Sequence, residues 1–162
     1  MMSEETAVPS ASSSKEVETV GRGGRRSLHL GLLILRVGVG LVFIGHGFPK
    51  LKGGPEVWTK IGKAMALVGL GFAPVFWGFM AAVSEALGGL LLALGVLVRP
   101  AAVLMLVTMT VAVVFLANGD AGFSQWSHPL TVALVFLGFA IMGGGRYALG
   151  SRIPGFRGRL WQ

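Results

Sequence analysis

Four long apolar runs, separated by short polar breaks, fill the chain from residue 28 to residue 144. By hydropathy they cover 28–47, 74–98, 100–117 and 129–144. Each approaches or exceeds the roughly 17 residues a helix needs to cross a bilayer, the fourth being the shortest. Pro74, Pro100 and Pro129 stand at three of the starts, where a missing N–H costs nothing. The Arg99-Pro100 break predicts a tight antiparallel hairpin between the second and third spans. The segment 55–70, PEVWTKIGKAMALVGL, has a different pattern. Val57, Ile61, Met65 and Val68 recur at helical spacing, with Lys60 and Lys63 on the other side. That spacing predicts a short amphipathic helix, lying on the membrane surface or packed over the bundle mouth. The expected fold is all-α: a four-helix transmembrane bundle with a short amphipathic surface helix between helices 1 and 2.

Composition sharpens this picture. The chain is 53% hydrophobic and 13% charged, where a soluble domain carries about 25% charge. Residues 1–26 are rich in Ser, Glu and Gly and predict a disordered tail. Residues 27–150 then form one membrane domain and 151–162 a basic tail. The basic stretch Arg22, Arg25 and Arg26 before an apolar run resembles a signal peptide, but that run contains Arg36 and no small-residue cleavage site follows it. It is read as an uncleaved first span.

The net charge of +7 does not point to nucleic acid. The basic residues cluster beside apolar segments, as membrane flanks do, and no nucleic-acid module signature is present. With four spans both termini share a side. That side carries Lys15, Arg22, Arg25, Arg26, Arg99, Arg146, Arg152, Arg157 and Arg159, against Lys50, Lys52, Lys60 and Lys63 opposite. The bias predicts cytoplasmic termini. There is no cysteine, which excludes disulfides, thiolate-held iron–sulfur clusters and a cysteine nucleophile in this chain. No phosphate loop, nucleophile elbow or zinc-protease motif appears.

Two charges interrupt the apolar runs: Arg36 in the first and Glu85 in the second. A charge at bilayer depth costs about 3 kcal/mol on insertion scales, so it faces a partner rather than lipid. Opposite signs at matching depth predict a buried Arg36–Glu85 ion pair, which either locks helix register or also relays a proton. On the first helix Arg36, Gly40, Phe43, Gly47 and Lys50 share one stripe, and on the second Gly78, Ala82, Glu85, Gly89 and Val96 do. The small residues let backbones approach. Thr108, Ala112, Phe115 and Gly119 on the third helix, and Thr131, Gly138, Met142 and Gly145 on the fourth, are expected to complete the interior.

At the outer mouth the topology gathers His46, Lys50, Asp120 and His128, with Asn118, Gln125 and Trp126 nearby. These side chains suit a quinone headgroup or an anion, and they suit equally an ordinary set of interfacial anchors. A metal site is not expected, because no third nitrogen or carboxylate ligand pattern accompanies the two histidines. His29 marks the opposite interface, and the methionines read as core filler.

Leu35-Arg36 with Gly40, Phe43, His46-Gly47 and Lys50-Leu51 resembles the first-helix signature of DoxX-type membrane proteins. Glu85, Gly88-Gly89, Gly95 and Arg99 with Ala101-Ala102 resemble the next block, and Gly143-Gly144-Gly145-Arg146-Tyr147 the glycine-rich end. The likeness covers about residues 28–150. It implies a four-helix protein of the bacterial inner membrane, with relatives in thiosulfate:quinone oxidation and other redox complexes. The chain departs from the pattern at Ser127-His128-Pro129, where relatives often place an acid, and at Asn118, where they often place a histidine.

The leading expectation is a small membrane subunit of a quinone-linked redox system. It has no covalent cofactor and no redox centre of its own. Arg36 and Glu85 anchor its interior, and His46, Lys50, Asp120 and His128 form a candidate quinone headgroup site. Its expected partners are the lipid bilayer, a soluble or membrane redox protein and further copies of the chain. The alternatives are a small-solute transporter or permeation subunit and a membrane scaffold.

Overall fold

The computed structural model describes residues 11–153, with side-chain surroundings from residue 23 onward. It is all helical: α1 (Ala11–Lys52), α2 (Gly54–Gly62), a 3-10 segment (Lys63–Val68), α3 (Pro74–Leu94), α4 (Val98–Ala117) and α5 (Phe123–Met142). Among the described residues four helices are long and apolar enough to cross a membrane: α1 from Gly23, α3, α4 and α5. Their outward faces are apolar as well. Ile34, Leu41, Val107, Leu134 and Ile141 are all more than half exposed, a distribution that water would penalise and lipid favours.

Helix α1 has 42 residues and at 1.5 Å per residue is about 63 Å long, roughly twice the hydrocarbon thickness of a bilayer. It starts within the stretch predicted to be a disordered tail, so residues 11–26 are helical. Gly23 to Leu28 are exposed, so packing does not order them. Once the buried span has nucleated the helix, each added residue gains a backbone hydrogen bond. Residues 154–162 lie outside the described residues, and with them most of the predicted basic tail.

The α1–α3 contact is set by small residues. A Cβ on Gly40 would sit 2.6 Å from the Gly89 carbonyl oxygen, and one on Gly47 would overlap the Ala86 backbone. These contacts bring the backbones together and fix the antiparallel register. The short helix α2 is packed, which selects the mouth-covering reading of segment 55–70. Gly62 abuts the Pro74 carbonyl, and Gly78 abuts the Trp58 carbonyl.

The core joins Leu32, Phe43, Leu92, Met105, Phe136 and Phe139 with smaller neighbours. The α1 and α3 stripes match the sequence expectation, with Gly40, Phe43, Gly47, Gly78, Ala82 and Gly89 all buried. On α4 the buried set is Val98, Ala101, Ala102, Met105 and Met109, while Thr108, Ala112 and Phe115 of the expected stripe line a cavity against α2 and α3. On α5 it is Pro129, Ala133, Phe136 and Phe139, while Thr131 and Met142 face outward. Met105, Met109, Phe136 and Phe139 interleave with the alanines Ala101, Ala102 and Ala133 in this part of the interior. The α5 helix also starts six residues before its predicted proline start. Pro129 lies inside it, where it costs one backbone bond near the helix beginning.

Helix α3 ends in left-handed Gly95, whose N–H reaches the Leu92 carbonyl while Val96 N–H reaches that of Leu91. This is a Schellman cap, and it places the α3–α4 turn at residues 95–97, ahead of Arg99. Arg99 instead donates from Nη2 to the Ile141 carbonyl at 2.9 Å, tying the start of α4 to the end of α5.

Candidate functional site

The helices pack in sequence: α1 on α3, α3 on α4, α4 on α5. The ring is not closed between α5 and α1 along most of their length. The Phe43 ring meets Phe136 edge-on at 5.0 Å, and at one end the loop after α5 fills the gap. Beside Phe43 a cleft of about 500 Å³ opens between the two helices. Its walls are Leu35, Val39 and Val42 of α1, Met109 of α4, and Val132 and Val135 of α5. Its polar end holds His46, Lys50, Glu85 and His128.

The charges inside the bundle pair differently from the sequence expectation. Glu85 is not bonded to Arg36. Lys50 Nζ donates to both carboxylate oxygens of Glu85, at 2.7 and 2.6 Å. The Glu85 side chain is 4% exposed and that of Lys50 34%, so the pair joins a buried acid to a base with access to the surface. The reason is register. Gly47 lies against Ala86 and Gly40 against Gly89, which sets Glu85 opposite the end of α1 and Arg36 opposite the end of α3. Arg36 and Glu85 therefore lie at different depths.

Arg36, 2% exposed, finds backbone instead. Its Nη1 donates to the carbonyls of Leu92 (3.3 Å) and Ala93 (3.1 Å), and its Nη2 to that of Tyr147 (2.8 Å). Carbonyls at a helix C-terminus lack intrahelical donors and carry the negative end of the helix dipole, so they compensate a cation without an acid. Arg36 Nε has no partner. Gly95 is required here, since a Cβ would overlap the guanidinium.

A second cavity of about 260 Å³ lies on the other side of the ion pair, between α2, α3, α4 and the 3-10 segment. It shares Lys50 and Glu85 with the cleft and adds Lys60, Trp77 and Thr108. Trp77 Nε1 is buried there without a partner, and Thr108 donates to Ser84 at 3.0 Å. Trp58 Nε1 donates to the Lys50 carbonyl at 2.9 Å, fixing the last turn of α1. The Lys50–Glu85 pair is thus a partition between two cavities.

Of the residues singled out from the sequence, His46, Lys50, Glu85 and His128 converge. Arg36 does not join them. Asp120 is exposed in the α4–α5 loop and does not line the cleft. Among the described residues no three His, Asp or Glu side chains gather into a metal-binding group. Sequence reasoning missed Trp77 and put Lys60 on the outward side of its helix, whereas Thr108 belongs to the α4 stripe expected to face the interior. The one available signal for the true ion pair was that Lys50 shares a stripe with Arg36.

These features define a multi-pass integral membrane protein with a side cleft ending in a buried ion pair. The DoxX family model matches residues 31–118, more than half of the chain, and the protein belongs to the DoxX family. No curated protein and no solved structure matches it.

Proposed function

We propose that this protein is a small subunit of a quinone-linked redox system in the bacterial inner membrane, and that the α1–α5 cleft receives the quinone. The observation that carries this reading is the convergence of His46, Lys50, Glu85 and His128 from three helices at one end of an apolar cleft. A quinone has the matching form: a ring with two acceptor oxygens on an apolar tail. The imidazoles and the Lys50 ammonium supply donors, and the valine-lined walls suit the tail. A bound quinone supplies a two-electron, two-proton couple. The chain's own residues orient its oxygens, exclude water and hold a proton at an imidazole or at Glu85. The relay role expected of Arg36–Glu85 passes in this reading to Lys50–Glu85. Without cysteine the chain has no thiolate-held cluster, and electrons come from or go to a partner protein. Arg25, Arg26, Arg146 and Arg152 lie at one end of the bundle and Lys50, Lys52, Lys60 and Lys63 at the other, which supports cytoplasmic termini.

The test is titration of the purified protein in lipid nanodiscs with a short-tailed quinone analogue. Saturable binding is expected, with affinity about tenfold weaker in His46→Ala and in His128→Ala, as loss of one hydrogen bond implies. No binding to the wild type, or equal binding in both variants, overturns the proposal.

One observation favours a second reading, a permeation subunit. The two cavities meet at Lys50–Glu85, so parting that pair would join them. Solute flux through proteoliposomes holding this protein alone, and abolished by Glu85→Gln, would select this reading.

A further inference from the structure

The end of the bundle opposite His46 holds a different kind of site. There a cleft of about 1060 Å³ is lined by Arg25, Arg26 and His29 of α1 and by Arg146, Ser151 and Arg152 of the loop after α5. Four guanidiniums from two distant parts of the chain face one space. Among residues 23–153, whose side-chain surroundings are described, the acids are Glu56, Glu85 and Asp120. Glu85 is paired with Lys50, and Glu56 and Asp120 belong to α2 and the α4–α5 loop at the other end. Among residues 23–153 the Arg cluster has no ion-pair partner.

The loop that carries Arg146 and Arg152 is held in place. The Arg146 N–H donates to His29 Nδ1 at 3.4 Å. The Ser151 hydroxyl donates to the Ala148 carbonyl at 2.6 Å. The Gly150 N–H donates to the Gly95 carbonyl at 2.9 Å, and Arg36 holds Tyr147. The guanidiniums are therefore brought together by a fixed frame.

We infer that this cleft binds the headgroup of an anionic phospholipid, and that it favours a headgroup with two phosphates over one with a single phosphate. A guanidinium fork matches phosphate oxygens in pairs, and four of them exceed the charge of one phosphodiester. Position argues for a lipid rather than a free ion. Arg25 and Arg26 immediately precede the apolar run of α1, at the level where phosphates of a leaflet lie. Leu28 and Leu30, each more than half exposed, and Leu149 offer an apolar surface beside the cleft along which acyl chains run. A free phosphate would make no use of that surface.

Delipidated protein in neutral detergent is titrated with cardiolipin, phosphatidylglycerol, phosphatidylcholine and inorganic phosphate, and bound lipid is read by native mass spectrometry. The double variants Arg25→Gln/Arg26→Gln and Arg146→Gln/Arg152→Gln are compared with Lys52→Gln/Lys63→Gln, which removes the same charge at the other end. All six side chains are exposed, so none of these variants removes a buried contact. Cardiolipin is expected to bind most tightly, and either arginine double variant to lose about thirtyfold in affinity, with the lysine control unchanged. Equal retention of phosphatidylcholine, an equal loss in the lysine control, or displacement of lipid by equimolar inorganic phosphate would each overturn the inference.

Discussion

Arg36 and the Lys50–Glu85 pair sit on the same two helices, yet they are solvated in opposite ways. Arg36 is enclosed, and its partners are carbonyls that belong to the fold: two at the end of α3 and one in the loop after α5. Any movement of the guanidinium loosens three segments at once. Glu85 is equally buried, but its partner is a flexible lysine, and open space lies on both sides of the pair. The first charge is built into the structure as a staple. The second has room on either side, and Lys50 has access to the surface. A buried charge marks function only when something beside it is free to move or bind.

The contrast is broken most severely at Arg36. Arg36→Leu removes the guanidinium from the Ala93 and Tyr147 carbonyls and leaves Leu92 with only the Gly95 N–H, and should destabilise the protein by about 3 kcal/mol, read as unfolding in detergent. Glu85→Gln should cost less, because Lys50 reaches the surface. Equal losses would erase the distinction between the two sites. Next comes the register that keeps them apart. Gly47→Val drives a side chain into the Ala86 backbone and should cost about 1–3 kcal/mol by overpacking, with Lys50–Glu85 disturbed along with it. A variant that unfolds like wild type would show that the helices do not approach so closely.

A smaller and sharper measurement is a pair of double-mutant cycles. Lys50→Met with Glu85→Gln should give a coupling of about 1–2 kcal/mol, and Arg36→Leu with Glu85→Gln one within about 0.5 kcal/mol of zero. The reverse order would restore the Arg36–Glu85 pairing. The smallest effect is a control remote from both sites. Ala73 is exposed and left-handed, with φ 48°. Ala73→Gly should raise stability by about 0.5 kcal/mol by relieving that conformation, and a fall in melting temperature would contradict it.

The helical content and the interior faces of α1 and α3 are legible in the sequence because small residues and charges recur there at helical spacing. Gly40, Gly47, Gly78 and Gly89 reveal the buried stripe. The interior faces of α4 and α5 are not legible in this way. Their outer surfaces are as apolar as their contacts, so hydrophobicity carries no directional signal, and Phe136 and Phe139 look no different from Leu134 and Leu137. The site is readable only in part for a related reason. His46, Lys50 and His128 are placed at one end by topology, and the cleft unites them with Glu85. Which base Glu85 meets depends on register, and register depends on glycine contacts between helices that a hydropathy pattern does not encode. The early start of α5 was hidden because Pro129 has the form of a helix start.

The gap between α1 and α5 also decides how an occupant would be counted. It opens through the side of the bundle, so the quinone proposed above would arrive by diffusing in two dimensions within the bilayer. Its occupancy then follows mole fraction in the lipid and not molarity in the buffer. Diluting the lipid phase at constant ligand would empty the site, while adding water would not.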